Sequence, residues 1–241
     1  VVALNGDGNR LAILASHNSS NVQNNTGYSR VFIKQFYETS WQDLNYSEGD
    51  EIFYRAPTDG NFTSIDLDST GDTLVVGAWK AYPGLGGAIE SQFVGLTYDG
   101  DETSEYEVGG VLIYKYNDNE EKFILTSGLE GTTGDFITRN SKLSNDGTML
   151  AIQMGSEQSN ANTHHRIYEI TPDGNIGEPK GSDTSDIVYH LYFKDNILAG
   201  FNNNIIYVYK YKEETEEWVK RGSGITLPNN YQTFTYGGLN D

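Results

Sequence analysis

An apolar residue, a short polar turn closing on glycine and a second apolar run follow one another at several places in the chain. The pattern is clearest in residues 67–78 (LDSTGDTLVVGA). It returns in residues 4–15 (LNGDGNRLAILA), 143–154 (LSNDGTMLAIQM) and, shortened, 193–200 (FKDNILAG). Because β-prone residues flank turn residues in each copy, every copy predicts two antiparallel strands joined by a tight turn.

Two sets of positions recur together and predict a fourfold repeat. The apolar anchors Leu11, Leu74, Leu150 and Leu198 are separated by 63, 76 and 48 residues. A second set joins the end of the third strand to the outer strand of each unit: Phe36 with Trp41, Tyr116 with Phe123, Ile170 with Ile176, and Tyr211 with Trp218. We therefore expect one all-β domain of four units, at about residues 1–61, 62–135, 136–187 and 188–241.

A repeat of about four short strands with turns between them is typical of a β-propeller blade. The order of leucine, Asp-Gly turn, Leu-Ala, polar loop, aromatic strand and tryptophan resembles the WD40-like and FG-GAP-like (integrin-type) repeats of secreted and cell-surface proteins. Residues 5–11 (NGDGNRL) and 145–150 (NDGTML) carry the likeness. The resemblance implies a β-propeller, either a closed four-unit ring or an arc of a larger propeller. Residues 234–241 (FTYGGLND) resemble the start of a further step.

Composition and charge agree with such a fold and exclude some partners. The chain has 17 Tyr and 27 Gly, which are strand and turn residues, but no Cys and hence no disulfide or cysteine-based zinc site. Its formal charge of −18 argues against nucleic acid and anionic membrane surfaces as partners. No apolar run approaches the ~20 residues of a membrane span. Since the sequence begins with Val1, we expect a processed or excerpted segment.

Four Asn-x-Ser/Thr triplets fall in the first quarter of the chain. They predict N-glycans on Asn18, Asn24, Asn45 and Asn61. Together with the charge and the absence of cysteine, this cluster predicts an extracellular or cell-surface glycoprotein.

One polar turn is a candidate calcium site, and no other cofactor is predicted. Asn5, Asp7 and Asn9 alternate like the oxygen ligands of integrin-type calcium loops. The alternative is a tight turn, because Asn, Asp and Gly also favour the left-handed backbone of hairpins. The other repeat units do not keep the same polar residues, which favours the turn.

The long segment 79–109 is an insertion between two strands of the second unit. Its candidate ligand contacts are Trp79, Tyr82, Asp99 and Asp101. Aromatic faces can stack on sugar rings, whereas a run of carboxylates is more often a solvated loop. Trp41 and Trp218 occupy matching repeat positions and are expected to pack between blades.

These features predict a non-catalytic propeller that serves as a structural, adhesion or protein-interaction module of a larger assembly. Its partners would be other protein subunits or glycans. A carbohydrate-binding propeller using Trp79 and Tyr82 is the alternative, and a glycosidase with paired carboxylates is a third. No sequence motif of a nucleophile, metal centre or phosphate loop is present, so no enzyme is expected.

Overall fold

The computed structural model describes residues 1–17, 28–44, 53–55, 61–79, 109–130, 136–156, 159–187, 189–202 and 204–228. All secondary-structure elements in these ranges are β-strands, and all pairings between the strands are antiparallel. The described residues include no helix with the length and apolar character needed to span a bilayer.

The strands form four sheets that follow one another along the chain. Blade 1 contains β1 (Val2–Leu4), β2 (Arg10–His17), β3 (Tyr28–Tyr37), β4 (Ser40–Asp43) and β5 (Phe53–Arg55). Blade 2 contains β6 (Asn61–Leu67), β7 (Thr73–Trp79), β8 (Gly110–Asn117) and β9 (Lys122–Glu130). Blade 3 contains β10 (Phe136–Leu143), β11 (Met149–Ser156), β12 (Ser159–Ile170) and β13 (Ile176–Pro179). Blade 4 contains β14 (Tyr189–Lys194), β15 (Ile197–Asn202), β16 (Ile205–Lys212), β17 (Glu217–Lys220) and β18 (Ile225–Thr226).

Each sheet is a meander whose first four strands pair in chain order, and the first strands of successive sheets lie side by side. Four such sheets in sequence give the β-propeller that the repeat predicts. The sheets lie within the four predicted units, except that β6 begins at Asn61. The unit boundaries themselves stay a prediction.

The repeated turn is built by side chains that bond the backbone ahead of them. Asp68 Oδ1 accepts hydrogen bonds from the backbone N–H groups of Gly71, Asp72 and Thr73 at 2.7, 3.0 and 3.2 Å. In the third copy of the turn, Gly147 has a φ of +70°, a conformation that favours glycine.

The turns of successive blades are also bonded to one another. The N–H of Gly6 donates to the carbonyl of Ser69 at 2.9 Å, and the N–H of Ser69 donates to the carbonyl of Asn145 at 2.7 Å. The residues that the sequence pattern identifies as turns therefore also connect the blades.

Alternation along the strands gives each blade two apolar faces. The face turned toward the preceding blade, here called the bulky face, carries the leucine anchor and the large aromatic residues. The opposite small face carries an alanine or valine next to the anchor. Three buried clusters form where the small face of one blade meets the bulky face of the next, between blades 1 and 2, 2 and 3, and 3 and 4. These clusters are the core of the molecule.

Register shows that the anchors occupy equivalent places. Leu74, Leu150 and Leu198 are fully buried, and each pairs across the sheet with a buried tyrosine: Tyr114, Tyr168 and Tyr209. Leu11 pairs instead with Lys34 and is only partly buried. The bulky face of blade 1 therefore differs from its three counterparts.

The expected packing of the two tryptophans holds for one of them. Trp218 is buried against Phe193 and Tyr211, with ring centroids 5.8 and 5.4 Å apart. Trp41 is exposed, because no described residue covers the bulky face of blade 1. The two closures that the sequence left open, a closed ring of four units and an arc of a larger propeller, both stay predictions.

Candidate functional site

An ion pair with a buried carboxylate joins the innermost strands of blades 2 and 3. Lys142 Nζ on β10 lies 2.6 Å from Asp66 Oδ1 on β6. The other carboxylate oxygen accepts the backbone N–H of Leu143 at 2.9 Å. The side chain of Asp66 is 9% exposed, whereas that of Lys142 is 35% exposed. The carboxylate is therefore enclosed, and the ammonium group stands between it and solvent.

Burial dominates the electrostatics of this carboxyl group. Desolvation raises the pKa of Asp66, while the charge of Lys142 and hydrogen bonds from Lys142 and two backbone N–H groups oppose that rise. A buried charge of this kind is tolerated only when it is paired and hydrogen-bonded. Asp66 thus fixes the position of the ammonium group.

Two buried serines lie beside the ion pair on the same two strands. The Oγ atoms of Ser64 and Ser141 are 2.8 Å apart, and the N–H of Ser141 donates to Ser64 Oγ at 3.2 Å. Gly77 leaves room for them, since a Cβ there would lie 2.3 Å from Ser64 Oγ. Both serines are buried, so they hold the strands together and are not placed to attack a substrate.

In the predicted calcium turn, the Asn side chains already form hydrogen bonds with each other and with the backbone. Asn5 Oδ1 accepts the N–H groups of Asn9 and Arg10 at 3.0 and 2.8 Å, and Asn5 Nδ2 donates to Asn9 Oδ1 at 2.8 Å. Asp7 is exposed beside this network. Across the described ranges, no group of three or more His, Asp or Glu side chains is placed to hold a metal ion. Calcium binding by Asn5, Asp7 and Asn9 stays a prediction.

Most other predicted site residues fall outside what the structure describes. Asn18, Asn24, Asn45, Tyr82, Asp99 and Asp101 lie outside the described residues. The backbones of Asn61 and Trp79 pair with each other at the ends of β6 and β7. Ligand contact by Trp79 and glycosylation of Asn61 stay predictions.

The adjacent histidines of β12 face opposite sides, as expected for a strand. His165 is fully buried, and its Nδ1 lies 3.0 Å from the carbonyl oxygen of Ile187. His164 Nε2 lies 3.3 Å from Asp183 Oδ2, which also pairs with Arg166 at 2.9 Å. These contacts attach the segment leaving blade 3 to its sheet.

Sequence analysis did not find the Asp66–Lys142 pair. The two residues are 76 positions apart and match no motif. The available signal was an aspartate inside the otherwise apolar end of β6 (FTSIDL), where a charge needs a partner. Only the packing of two blades identifies that partner.

Comparisons with known proteins do not assign the chain to a family. No family model matches the chain, and no curated protein matches it. Similar solved structures include TolB from Acinetobacter baumannii, with 15% identity over 92% of this chain and 43% of that chain and a TM-score of 0.40. Another is the periplasmic gluconolactonase of Pseudomonas aeruginosa, with 15% identity over 91% of this chain and 55% of that chain and a TM-score of 0.46. A third is the β-propeller domain of the Trilobed protease from Pyrococcus furiosus, with 12% identity over 94% of this chain and 57% of that chain and a TM-score of 0.39.

This chain spans about half the length of these structures. They are propeller-type folds, so the likeness agrees with a propeller but does not assign this chain to the WD40-like or FG-GAP-like type. That finer assignment stays a prediction.

The predicted non-catalytic adhesion role is wrong. Several of the similar structures are named as enzymes, among them the gluconolactonase, a putative 6-phosphogluconolactonase and an acylaminoacyl peptidase. The absence of a linear catalytic motif was a poor reason to exclude an enzyme, because a propeller assembles side chains from distant strands, as Asp66 and Lys142 demonstrate.

Proposed function

We propose that this chain is a β-propeller that binds and polarises a carbonyl compound, with Lys142 donating to the carbonyl oxygen. The supporting observation is the ion pair between innermost strands, in which the carboxylate is 9% exposed and the lysine side chain 35% exposed. Asp66 holds the ammonium group in one place. The ammonium group has further N–H donors for the carbonyl oxygen of a ligand.

The chemistry of a fixed ammonium group favours an acyl substrate. When an ester, lactone or amide carbonyl is attacked, negative charge develops on its oxygen, and a pre-positioned donor stabilises that charge. The carboxylate of Asp66 neutralises the site, and the chain as a whole carries a charge of −18. A neutral ligand is therefore favoured over an anionic one.

We also propose that the protein works outside the cytoplasm. The four glycosylation triplets near the start of the sequence and the lack of cysteine support this location. Endoglycosidase treatment of the protein secreted from eukaryotic cells, followed by mass spectrometry, tests it. Unmodified asparagine at all four positions would contradict glycosylation.

The carbonyl proposal is tested with glucono-1,5-lactone as a neutral probe and gluconate as its charged counterpart. We expect the lactone to raise the melting temperature and to be opened faster than in buffer alone, while gluconate has little effect. Replacing Lys142 by Met should reduce lactone opening about a hundredfold, the usual cost of losing one charge-stabilising donor.

Because Lys142→Met leaves a buried carboxylate unpaired, a second variant is needed. The double variant Asp66→Asn/Lys142→Met removes the pair together and should fold while lacking activity. Lys122→Met is the matched control: Lys122, the first residue of β9, pairs with Glu120 at 3.1 Å, and its side chain is 24% exposed. A folded double variant that binds and opens the lactone like the unmodified protein would exclude Lys142 from the site.

A further inference from the structure

Blades 1 and 4 present the two halves of an interface that the molecule already uses three times. In blades 2 to 4, every bulky face lies against the small face of the preceding blade. The bulky face of blade 1 and the small face of blade 4 have no such cover among the described residues.

The bulky face of blade 1 is exposed at positions that are buried elsewhere. Leu4 is 55% exposed, whereas its counterparts Leu67, Leu143 and Phe193 are 7%, 2% and 4% exposed. Trp41 is 42% exposed, whereas its counterparts Phe123 and Trp218 are buried. The same repeat positions within one chain thus serve as internal controls.

The small face of blade 4 is likewise more exposed than the equivalent faces of the other blades. Ala199 pairs with Val208, and both are partly exposed. The equivalent pairs are buried by the next blade: Ala12 with Ile33, Val75 with Ile113, and Ala151 with Ile167.

A cation–aromatic contact recurs where a small face meets a bulky face. Arg10 of blade 1 lies 4.0 Å from the ring centroid of Tyr116 in blade 2. Lys180, which follows the last strand of blade 3, lies 5.0 Å from the ring of Tyr211 in blade 4.

The exposed faces of blades 4 and 1 carry the same two kinds of group, a cation and aromatic rings. Lys210 is exposed on blade 4 and pairs across the sheet with Ile197, which occupies the repeat position of Arg10. Phe36 and Trp41 form an exposed aromatic pair on blade 1, with ring centroids 5.3 Å apart.

We propose that a second copy of this chain covers these faces head to tail, with the small face of blade 4 in one copy packing on the bulky face of blade 1 in the other. The contact continues the stacking that already joins the four blades. Two such contacts close a dimeric ring of eight blades, which is within the usual range of propellers.

A polar feature of blade 1 fits within this contact. The Lys34–Asp43 ion pair, at 2.5 Å, stands where blades 2 to 4 carry a buried tyrosine. Because the pair neutralises itself, it brings no net charge to the interface.

The oligomeric state of the protein tests the proposal. Light scattering after size exclusion should give twice the monomer mass of 26.8 kDa at high concentration, with dissociation on dilution. A monomer at every concentration would overturn the proposal.

Two variants establish that the contact is head to tail. Leu4→Asp should prevent dimerisation by damaging the bulky face, and Ala199→Glu should prevent it by damaging the small face, each weakening association by about tenfold or more. Mixing the two variants should restore a dimer, because each contributes one intact face. Dimerisation of either variant alone would indicate a symmetric contact and overturn the proposal.

Folding of each variant is checked by its circular dichroism and melting curve. If Ala199→Glu unfolds the protein, Lys210→Glu replaces it, since Lys210 is exposed. Tyr37→Asp is the matched control: Tyr37 is 50% exposed and follows Phe36 on β3, so its side chain points to the other side of the strand. This variant should remain dimeric, and its dissociation would overturn the assignment of the faces.

Discussion

Trp41 and Trp218 occupy the same position in blades 1 and 4, yet the first is 42% exposed and the second 5% exposed. Each is the cross-strand partner of an aromatic residue, Phe36 and Tyr211 respectively. The indole N–H of Trp218 also donates to the carbonyl of Lys180 in the preceding blade at 2.8 Å. The sheet places both rings alike, and the neighbouring blade decides which ring is buried.

Replacing these tryptophans by alanine should therefore have unequal effects on stability. We expect Trp218→Ala to lower the free energy of unfolding by about 3–5 kcal/mol, because it empties a packed site and leaves a carbonyl unpaired. Trp41→Ala should lower it by less than about 1 kcal/mol in the monomer. Urea unfolding of both variants measures the difference, and equal losses would contradict the assigned packing.

Gly147 should tolerate alanine much less well than Gly222. Both have positive φ values, +70° and +75°, so both substitutions strain the backbone. A Cβ on Gly147 would lie 2.5 Å from Asp68 Oδ2, whereas none of the described atoms lies within 4 Å of one on Gly222. We expect Gly222→Ala to cost about 1 kcal/mol and Gly147→Ala about 1–3 kcal/mol more, because the turn-forming carboxylate must move. Thermal unfolding of the pair checks this, and equal costs would contradict the close approach.

Buried His165 should make the protein less stable in mild acid. Burial lowers the pKa of His165 to about 3, and the nearby His164 contributes to the shift. Arg166, on the same strand, pairs with Asp183 from the following segment. Below about pH 6.5 the unfolded chain binds a proton at this histidine and the folded chain does not, so stability falls as pH decreases toward 3.

His165→Gln should remove this dependence. We expect the stability difference between the unmodified protein and the variant to shrink by about 2 kcal/mol from pH 7.5 to pH 5, measured by urea unfolding. His164→Gln serves as the control on the same strand. A difference that stays constant with pH would show that His165 titrates alike in both states.

Melting temperatures in calcium and in chelator test the candidate calcium site in the first turn. If Asn5, Asp7 and Asn9 hold calcium, the ion raises the melting temperature relative to chelator, since it binds only the folded turn. Asp7→Ala should then abolish the gain without affecting the protein in chelator, because Asp7 is exposed. An identical melting temperature in calcium and in chelator would contradict the site.

The glycosylation triplets and the insertion 79–109 lie almost entirely outside the described residues, so their roles remain as the sequence predicts them. Of the predictions made from the sequence, the predicted function changed most. The adhesion role rested on the repeats, the glycosylation triplets, the excerpted ends and the missing catalytic motifs, and a missing motif says little about a fold whose sites are assembled from several blades.

The sequence by itself determined the four-blade repeat, because strand alternation and turn chemistry are local. Turn residues such as Asp68 and Gly147, and anchors such as Leu74, carry that information within a dozen positions of one another or at a recurring spacing. Only the tertiary structure decided which equivalent positions are buried, since burial of Leu67 but not Leu4 depends on a neighbouring sheet. The same holds for Asp66 and Lys142, whose charges meet because two innermost strands lie side by side.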